Sequence, residues 1–236
     1  MYVPPGYDEG GGRFPVLYLQ DGQNLFDPAT AFGGQDWRAD IAADDLTRTG
    51  VIRPLIIVGV YNTGAKRISE YTPTRDRRRR KGGKADRYAE MLAREIKPFI
   101  DHEYRTFKAA GHAAVGGSSL GGLASLVAGL EYSRVFGGVA AMSPSVWWDG
   151  RSILGAVNRW NGKARPRVWL DCGTNEGDAP AQIVDDLREL RNAMQAKGWR
   201  EGADLAYVED PNAGHNEQAW AARFPGVLRF LFAAGR

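Results

Sequence analysis

Cysteine is almost missing from this 236-residue chain, which carries only Cys172. That excludes an internal disulfide and any multi-cysteine metal site. Histidine is nearly as scarce, with His102, His112 and His215, so chemistry that needs an imidazole has three candidates. No apolar run approaches the ~20 residues of a membrane span, so no membrane partner is expected. The opening Met1–Tyr7 lacks both the charged and the apolar region of a signal peptide. It fits a cytoplasmic chain, or a secreted or periplasmic one whose leader has been removed. A dominant charge of one sign is also lacking. The net charge is +3, and seven Lys/Arg against one Asp are gathered between Arg75 and Lys84. The rest is slightly acidic, so a nucleic-acid surface is not expected. What remains is ordinary globular composition, 43% hydrophobic and 25% charged. The length suits one sizeable α/β domain over residues 1–236 and is short for two.

Strand and helix patterns alternate along the chain. Phe14–Gln20 reads as a strand, Trp37–Leu46 as a helix, and Leu55–Tyr61 as a fully buried strand. Asn62–Gly83 reads as a long polar loop. Ala85–Ile100 is helical, with Tyr88, Met91, Leu92, Ile96 and Phe99 on one face. Val135–Met142, Arg167–Asp171 and Leu205–Val208 are further strands. Helices are expected near Ile153–Trp160, around Ile183–Met194 and over Gln218–Phe232. Such alternation predicts a mostly parallel sheet covered by helices on both faces. Sites in such sheets lie at the carboxyl ends of the strands.

One stretch carries chemistry. Ala113–Val115 is apolar like the end of a buried strand, and Leu123, Leu126, Val127 and Leu130 recur at helical spacing. Between them lies Gly117-Ser118-Ser119-Leu120-Gly121, a G-x-S-x-G sequence in the strand–turn–helix context of a nucleophile elbow. This register selects Ser119; Ser118 has Leu120 where the second glycine belongs. A serine hydroxyl needs a base to become a nucleophile. His102 falls at a helix end and His112 precedes the elbow strand, at the opposite sheet edge. His215 follows the last strand, at the same edge as Ser119, and is the candidate base. The acid that orients it should leave the preceding strand, where Glu176 and Asp178 both qualify by position. Ser, acid and His then follow in the chain order of α/β-hydrolases. Oxyanion donors are expected from the backbone N–H of Leu120 and of Gln23, in the loop after the first core strand.

Together these segments resemble the esterase-D-like family of α/β-hydrolases, which includes feruloyl and acetylxylan esterases, siderophore esterases and mycolyltransferases. Val3–Tyr7 looks like that family's opening strand, and Tyr18–Asn24 like its oxyanion loop. Gly117–Gly122, Ser143–Trp148 and Gly214-His215-Asn216 are similar to its elbow, a following loop and its histidine segment. The resemblance places the acid after Asn175 in Gly173-Thr174-Asn175-Glu176, which favours Glu176 over Asp178. It also implies an α/β-hydrolase fold with no large lid and an open cleft.

The expected function is a serine carboxylic-ester hydrolase that needs no cofactor and no metal. Its partner would be a small-molecule or oligosaccharide ester, such as a feruloyl or acetyl ester of a carbohydrate. Trp37, Trp147 and Trp148 are candidates to stack on a sugar or phenolic ring, with core packing expected for at least one of the paired Trp147 and Trp148. The alternative substrate is an anionic siderophore trilactone, which Lys66, Arg67 and the Arg77–Lys81 run could attract. An acyltransferase, or a binding domain without catalysis, are the more distant readings. Oligomeric state is left open by the sequence.

Overall fold

The computed structural model describes residues 1–162 and 164–235. In chain order, β1 (Val16–Gln20) leads through a 3₁₀ turn at Gly22–Asn24 to α1 (Ala39–Arg48) and β2 (Ile56–Val60). A short α2 (Arg67–Tyr71) and a hairpin of β3 (Arg75–Asp76) and β4 (Lys81–Gly82) follow. Then come α3 (Ala85–Met91), a π-helical turn at Leu92–Ile96, and α4 (Lys97–Glu103). The remaining elements alternate: β5 (Ala113–Ser118), α5 (Leu120–Glu131), β6 (Gly138–Met142), α6 (Trp148–Arg159), β7 (Arg167–Gly173), α7 (Pro180–Ala196), β8 (Leu205–Asp210) and α8 (Glu217–Phe232).

The main sheet has the order β2-β1-β5-β6-β7-β8, with every neighbouring pair parallel. Its strands are near-continuous apolar runs because both faces are buried. In β1, Val16 and Tyr18 face one core and Leu17 and Leu19 the other. The first core is covered by α2 to α7, the second by α1 and α8. The chain winds outward from β1 to β2, then crosses back to β5 on the other side of β1. That reversal leaves a crevice outside the carboxyl ends of β1 and β5, where ligands bind in open α/β sheets.

Three expectations change. Asn62–Gly83 is not a featureless loop: it holds α2 and the β3–β4 hairpin. Five helical residues are too few to show a period; burial of Tyr71, whose ring lies 5.0 Å from that of Tyr88, holds them in place. Phe99 is 59% exposed, and Ile100 is buried instead. The π turn inserts one extra residue, so the inward position after it moves along by one. Val3–Tyr7 forms no strand. Only Tyr2 bridges to Ile57, because Pro4 and Pro5 have no N–H to give a ladder.

Candidate active site

Ser119 occupies the tight turn between β5 and α5, at φ 57° and ψ −123°. Its N–H donates to Met142 O at 2.9 Å, and its carbonyl accepts from Leu123 N and Ser145 N at 3.1 Å each. Strain of this kind persists only where the surroundings over-determine it. The flanking glycines allow the close packing that does so. A Cβ on Gly117 would stand 3.0 Å from Gln20 Cβ and from the Gly121 carbonyl carbon, and one on Gly121 would stand 3.1 Å from Gln20 Cβ.

His215 Nε2 lies 3.0 Å from Ser119 Oγ, and His215 Nδ1 lies 2.8 Å from Glu176 Oε2. The imidazole meets the Trp220 ring edge-on at 4.9 Å. The loops carrying the two residues are joined directly: Asn175 N donates to Ala213 O at 3.1 Å, and Asn212 N to Thr174 Oγ1 at 2.9 Å. Gly173 permits this contact, since a Cβ there would lie 2.1 Å from Ala213 O. Asn216, next to the histidine, caps α8 by accepting from Ala219 N. Glu176 is fully buried, and its Oε1 accepts from Ser143 Oγ and Gly173 N at 2.6 Å each. Burial alone would raise its carboxyl. The hydrogen bonds from His215, Ser143 and Gly173 outweigh that and hold it below the usual carboxylate range. Asp178 is exposed. His102 sits at the exposed end of α4 beside Glu103, and His112 at the amino end of β5.

The two expected oxyanion donors follow β5 and β1, neighbouring strands at the switch point. Leu120 is the first residue of α5 and Gln23 the middle residue of the 3₁₀ turn, positions whose N–H groups have no acceptor within their own helix. Gly22 brings that turn against β2, where a Cβ would stand 2.4 Å from the Gly59 carbonyl carbon. Asp21, left-handed at φ 56°, anchors it. Its carboxylate receives Arg67 Nε and Nη2 at 2.7 and 2.6 Å and Asn62 Nδ2 at 2.7 Å.

The substrate contacts expected from sequence are mostly corrected. Trp37 is buried beneath the loop, against Trp220 and Phe224 at 6.2 and 5.8 Å between ring centres. Trp148 is buried too, its Nε1 donating to Thr74 O at 2.9 Å. Apolar burial explains both. The Arg67 guanidinium is committed to Asp21 and stacks over Tyr71 at 5.0 Å. Trp147 alone is exposed, at 42%. It lines a cavity of about 440 Å³ with Arg77, Arg78 and Arg79, and the Arg79 guanidinium lies 5.0 Å from its ring centre. Sequence reasoning missed Ser145, whose Oγ is 3.4 Å from Ser119 Oγ, and assigned no role to Ser143, Trp220 or Arg223 around Glu176. Ser143 and Ser145 fall in a segment that carries the resemblance; nothing local marks Arg223.

Residues 1–231 match the family model described as "Putative esterase". A siderophore enterobactin esterase of Emericella nidulans is 35% identical over 136 residues, which cover 54% of this chain and 45% of that protein. An endo-1,4-beta-xylanase/feruloyl esterase of Xylanibacter ruminicola is 29% identical over 206 residues, 85% of this chain and 25% of that protein. Among solved structures, the BES protein from Bacillus cereus superposes with a TM-score of 0.75 at 23% identity, covering 98% of this chain and 86% of the other. The chain belongs to this esterase family, as a carboxylic ester hydrolase of the α/β-hydrolase fold.

Proposed function

We propose that this esterase works through Ser119 as nucleophile, His215 as general base and Glu176 as the acid that orients it. The observation that carries the reading is the unbroken chain of contacts from Ser119 Oγ through His215 to the buried Glu176 carboxylate. His215 Nε2 takes the hydroxyl proton as Oγ attacks the ester carbonyl. The developing oxyanion is received by the N–H groups of Leu120 and Gln23. The imidazolium then protonates the leaving alcohol, and water, activated by the same imidazole, releases the acid from the acyl-enzyme. Glu176 keeps the proton of His215 on Nδ1, which leaves Nε2 free to accept.

For the substrate we propose an aryl or acyl ester, such as a feruloyl or acetyl ester of a carbohydrate, acted on by one domain. The feruloyl esterase relative and the exposed Trp147 support this choice. The cationic β3–β4 hairpin and the siderophore esterase relative favour an anionic trilactone as the second reading. The test is a panel of p-nitrophenyl acyl esters, methyl ferulate and a siderophore trilactone, run on the wild type and Ser119→Ala. Ser119→Ala should remove turnover on every hydrolysed member, leaving at most the ~10³–10⁴-fold over water that binding and an oxyanion hole supply. Wild-type turnover in that variant would end the reading. Preference for the trilactone over methyl ferulate would exchange the two substrates.

A further inference from the structure

The side of Glu176 turned away from His215 is built around one hydroxyl. Ser143 Oγ lies 2.6 Å from Glu176 Oε1, 2.9 Å from Trp220 Nε1 and 2.9 Å from Arg223 Nη2. Indole and guanidinium nitrogens can only donate. Both lone pairs of the hydroxyl are therefore occupied, and its single proton points at Glu176. Ser143 is held for this task at φ 41°, with its N–H shared between Asp171 O at 2.8 Å and Asp171 Oδ1 at 3.1 Å. Arg223, 5% exposed along its side chain, completes the array. Its Nε lies 3.1 Å from Asp171 Oδ1, its Nη1 3.3 Å from Asp210 Oδ2, and its Nη2 3.7 Å from Glu176 Oε1. Trp220 and Arg223 are one turn apart on α8, the helix that begins just after His215.

We propose that Ser143 and Arg223 are positioning residues that fix Glu176 as a charged, singly oriented carboxylate, with Oε1 held by the protein and Oε2 left to His215. The inference rests on Glu176 being the triad acid. Two carboxylates, those of Asp171 and Glu176, are buried here beside the Arg223 guanidinium, whose charge adds to the hydrogen bonds of His215, Ser143 and Gly173 that favour the ionised Glu176. The other titratable groups facing it are few: His215 across Oε2, Asp210 at the far end of the guanidinium, and the Cys172 thiol, which burial pushes up to about 12 and so keeps neutral. Helix α8 thus locks the acid while its leading loop presents the base.

The catalytically competent form has Glu176 ionised and His215 neutral. A carboxylate that loses Ser143 or Arg223 takes up a proton at higher pH, or holds the imidazolium more tightly. Either change moves the acidic limb of the kcat/KM profile upward. The experiment is the pH profile of p-nitrophenyl ester hydrolysis for Ser143→Ala, Arg223→Lys and Arg223→Met, with Glu176→Gln beside them. Ser143→Ala should lower kcat about 10- to 100-fold, the effect of one hydrogen bond to a charged group, with KM near wild type and the acidic limb displaced upward. Arg223→Lys keeps the charge and should leave the limb nearly in place, while Arg223→Met should displace it. Because Arg223→Met strands two buried carboxylates, Asp171→Leu/Arg223→Met is included to restore folding; the limb should stay displaced in it. Wild-type kcat and an unmoved limb in Ser143→Ala, with Glu176→Gln inactive, would overturn this inference alone. Near-normal turnover in Glu176→Gln would overturn the triad reading beneath it.

Discussion

Two arginines meet carboxylates at the carboxyl edge of the sheet, and they are used differently. Arg223 is almost completely buried and divided among Asp171, Glu176 and Asp210, none closer than 3.1 Å. Arg67 is 27% exposed along its side chain and grips Asp21 alone, in a two-point contact of 2.6 and 2.7 Å. The first arrangement is poor pairing but strong charge compensation in a dry site, where each unit of uncompensated charge is costly. The second is good pairing in a half-wet site, where the charge matters less and the fixed fork geometry matters more. One arginine therefore sets the ionisation of an acid. The other sets the shape of a loop, fixing the left-handed Asp21 from which the Gly22–Asn24 turn starts.

The comparison is broken most sharply at Glu176. Glu176→Gln keeps the shape and removes the charge, so His215 is no longer held in its productive tautomer. A loss of about 10⁴ in kcat is expected, as in a well-studied triad protease. Asp178→Asn, at an exposed position, should leave kcat within about twofold, in line with the small effects of surface substitutions. Kinetics measured side by side decide it; the opposite pattern would transfer the role to Asp178 and leave Arg223 compensating nothing catalytic.

A second test concerns Asp171. Burial pushes its carboxyl up to about 6 from an ordinary 3.8, against the pull of Arg223, of Trp169 Nε1 and of the Ser143 N–H. The folded chain thus holds this proton more tightly than the unfolded chain. Its contribution to stability is complete below about 4 and is lost as pH rises through about 6, a change on the order of 2–3 kcal/mol. Glu176 has the opposite sign, since its depressed carboxyl contributes stability that disappears only as pH falls below the ordinary glutamate range. Denaturant unfolding of Asp171→Asn between pH 4 and 6 should therefore lack this downward component, so the gap in stability between variant and wild type should narrow as pH rises, even though the variant is less stable throughout. An unchanged gap would mean that Asp171 is ionised across this range.

How far these features could be read beforehand follows from their range along the chain. The elbow is local, because strand, glycine-lined turn and helix fall within twenty residues, and Ser119 stands out from them. His215 needed only the sheet topology, which places one of three histidines at the correct edge. Choosing between Glu176 and Asp178 needed more: the two residues differ in burial and in contact with His215, which two positions in one loop do not reveal. Nothing short-range joins Ser143 to Arg223, eighty positions apart, or Arg67 to Asp21. Sequence alone does not separate the exposed Trp147 from the buried Trp37 and Trp148, because an aromatic side chain looks the same in a core and in a cleft. A single inserted residue in a π turn carries Phe99 out of the buried face, and such an insertion leaves no mark in the apolar pattern.

Arg67 sharpens the other half of the comparison. Arg67→Met removes the fork from Asp21 but leaves Asn62 Nδ2 and the Asp21 N–H bond to the Tyr71 hydroxyl in place. The 3₁₀ turn should loosen without unfolding. Since Gln23 then presents its N–H less often to the oxyanion, kcat should fall about tenfold. That is less than the ~10²–10³ for deleting an oxyanion donor outright. KM should change little, because the lost interaction belongs to the transition state. Arg67→Lys should recover only part, as an ammonium cannot reproduce the two-point contact. A change in KM alone would instead make Arg67 a substrate contact.

The smallest effect is expected where arginines are most abundant. The β3–β4 hairpin carries Arg77, Arg78, Arg79, Arg80 and Lys81, yet among the described residues only Arg79 has a carboxylate partner there, Asp76 at 2.9 Å. Asp76 also accepts from the N–H groups of Arg78 and Arg79, so it serves the turn as much as the charge. These charges are largely exposed, and at ~0.15 M salt their reach is ~8 Å. For a neutral feruloyl or acyl ester, raising the salt or replacing residues 77–81 with Gly/Ser should change kcat/KM by less than about twofold. For an anionic trilactone the same hairpin would steer encounter, so kcat/KM would fall steeply with salt while kcat stayed level. Deleting the charges would then abolish the salt dependence. Parallel salt titrations of both substrates on the wild type and the replaced hairpin separate these outcomes. A salt-sensitive trilactone reaction that loses its sensitivity with the hairpin would make these exposed cations, unlike Arg223 and Arg67, part of substrate recognition.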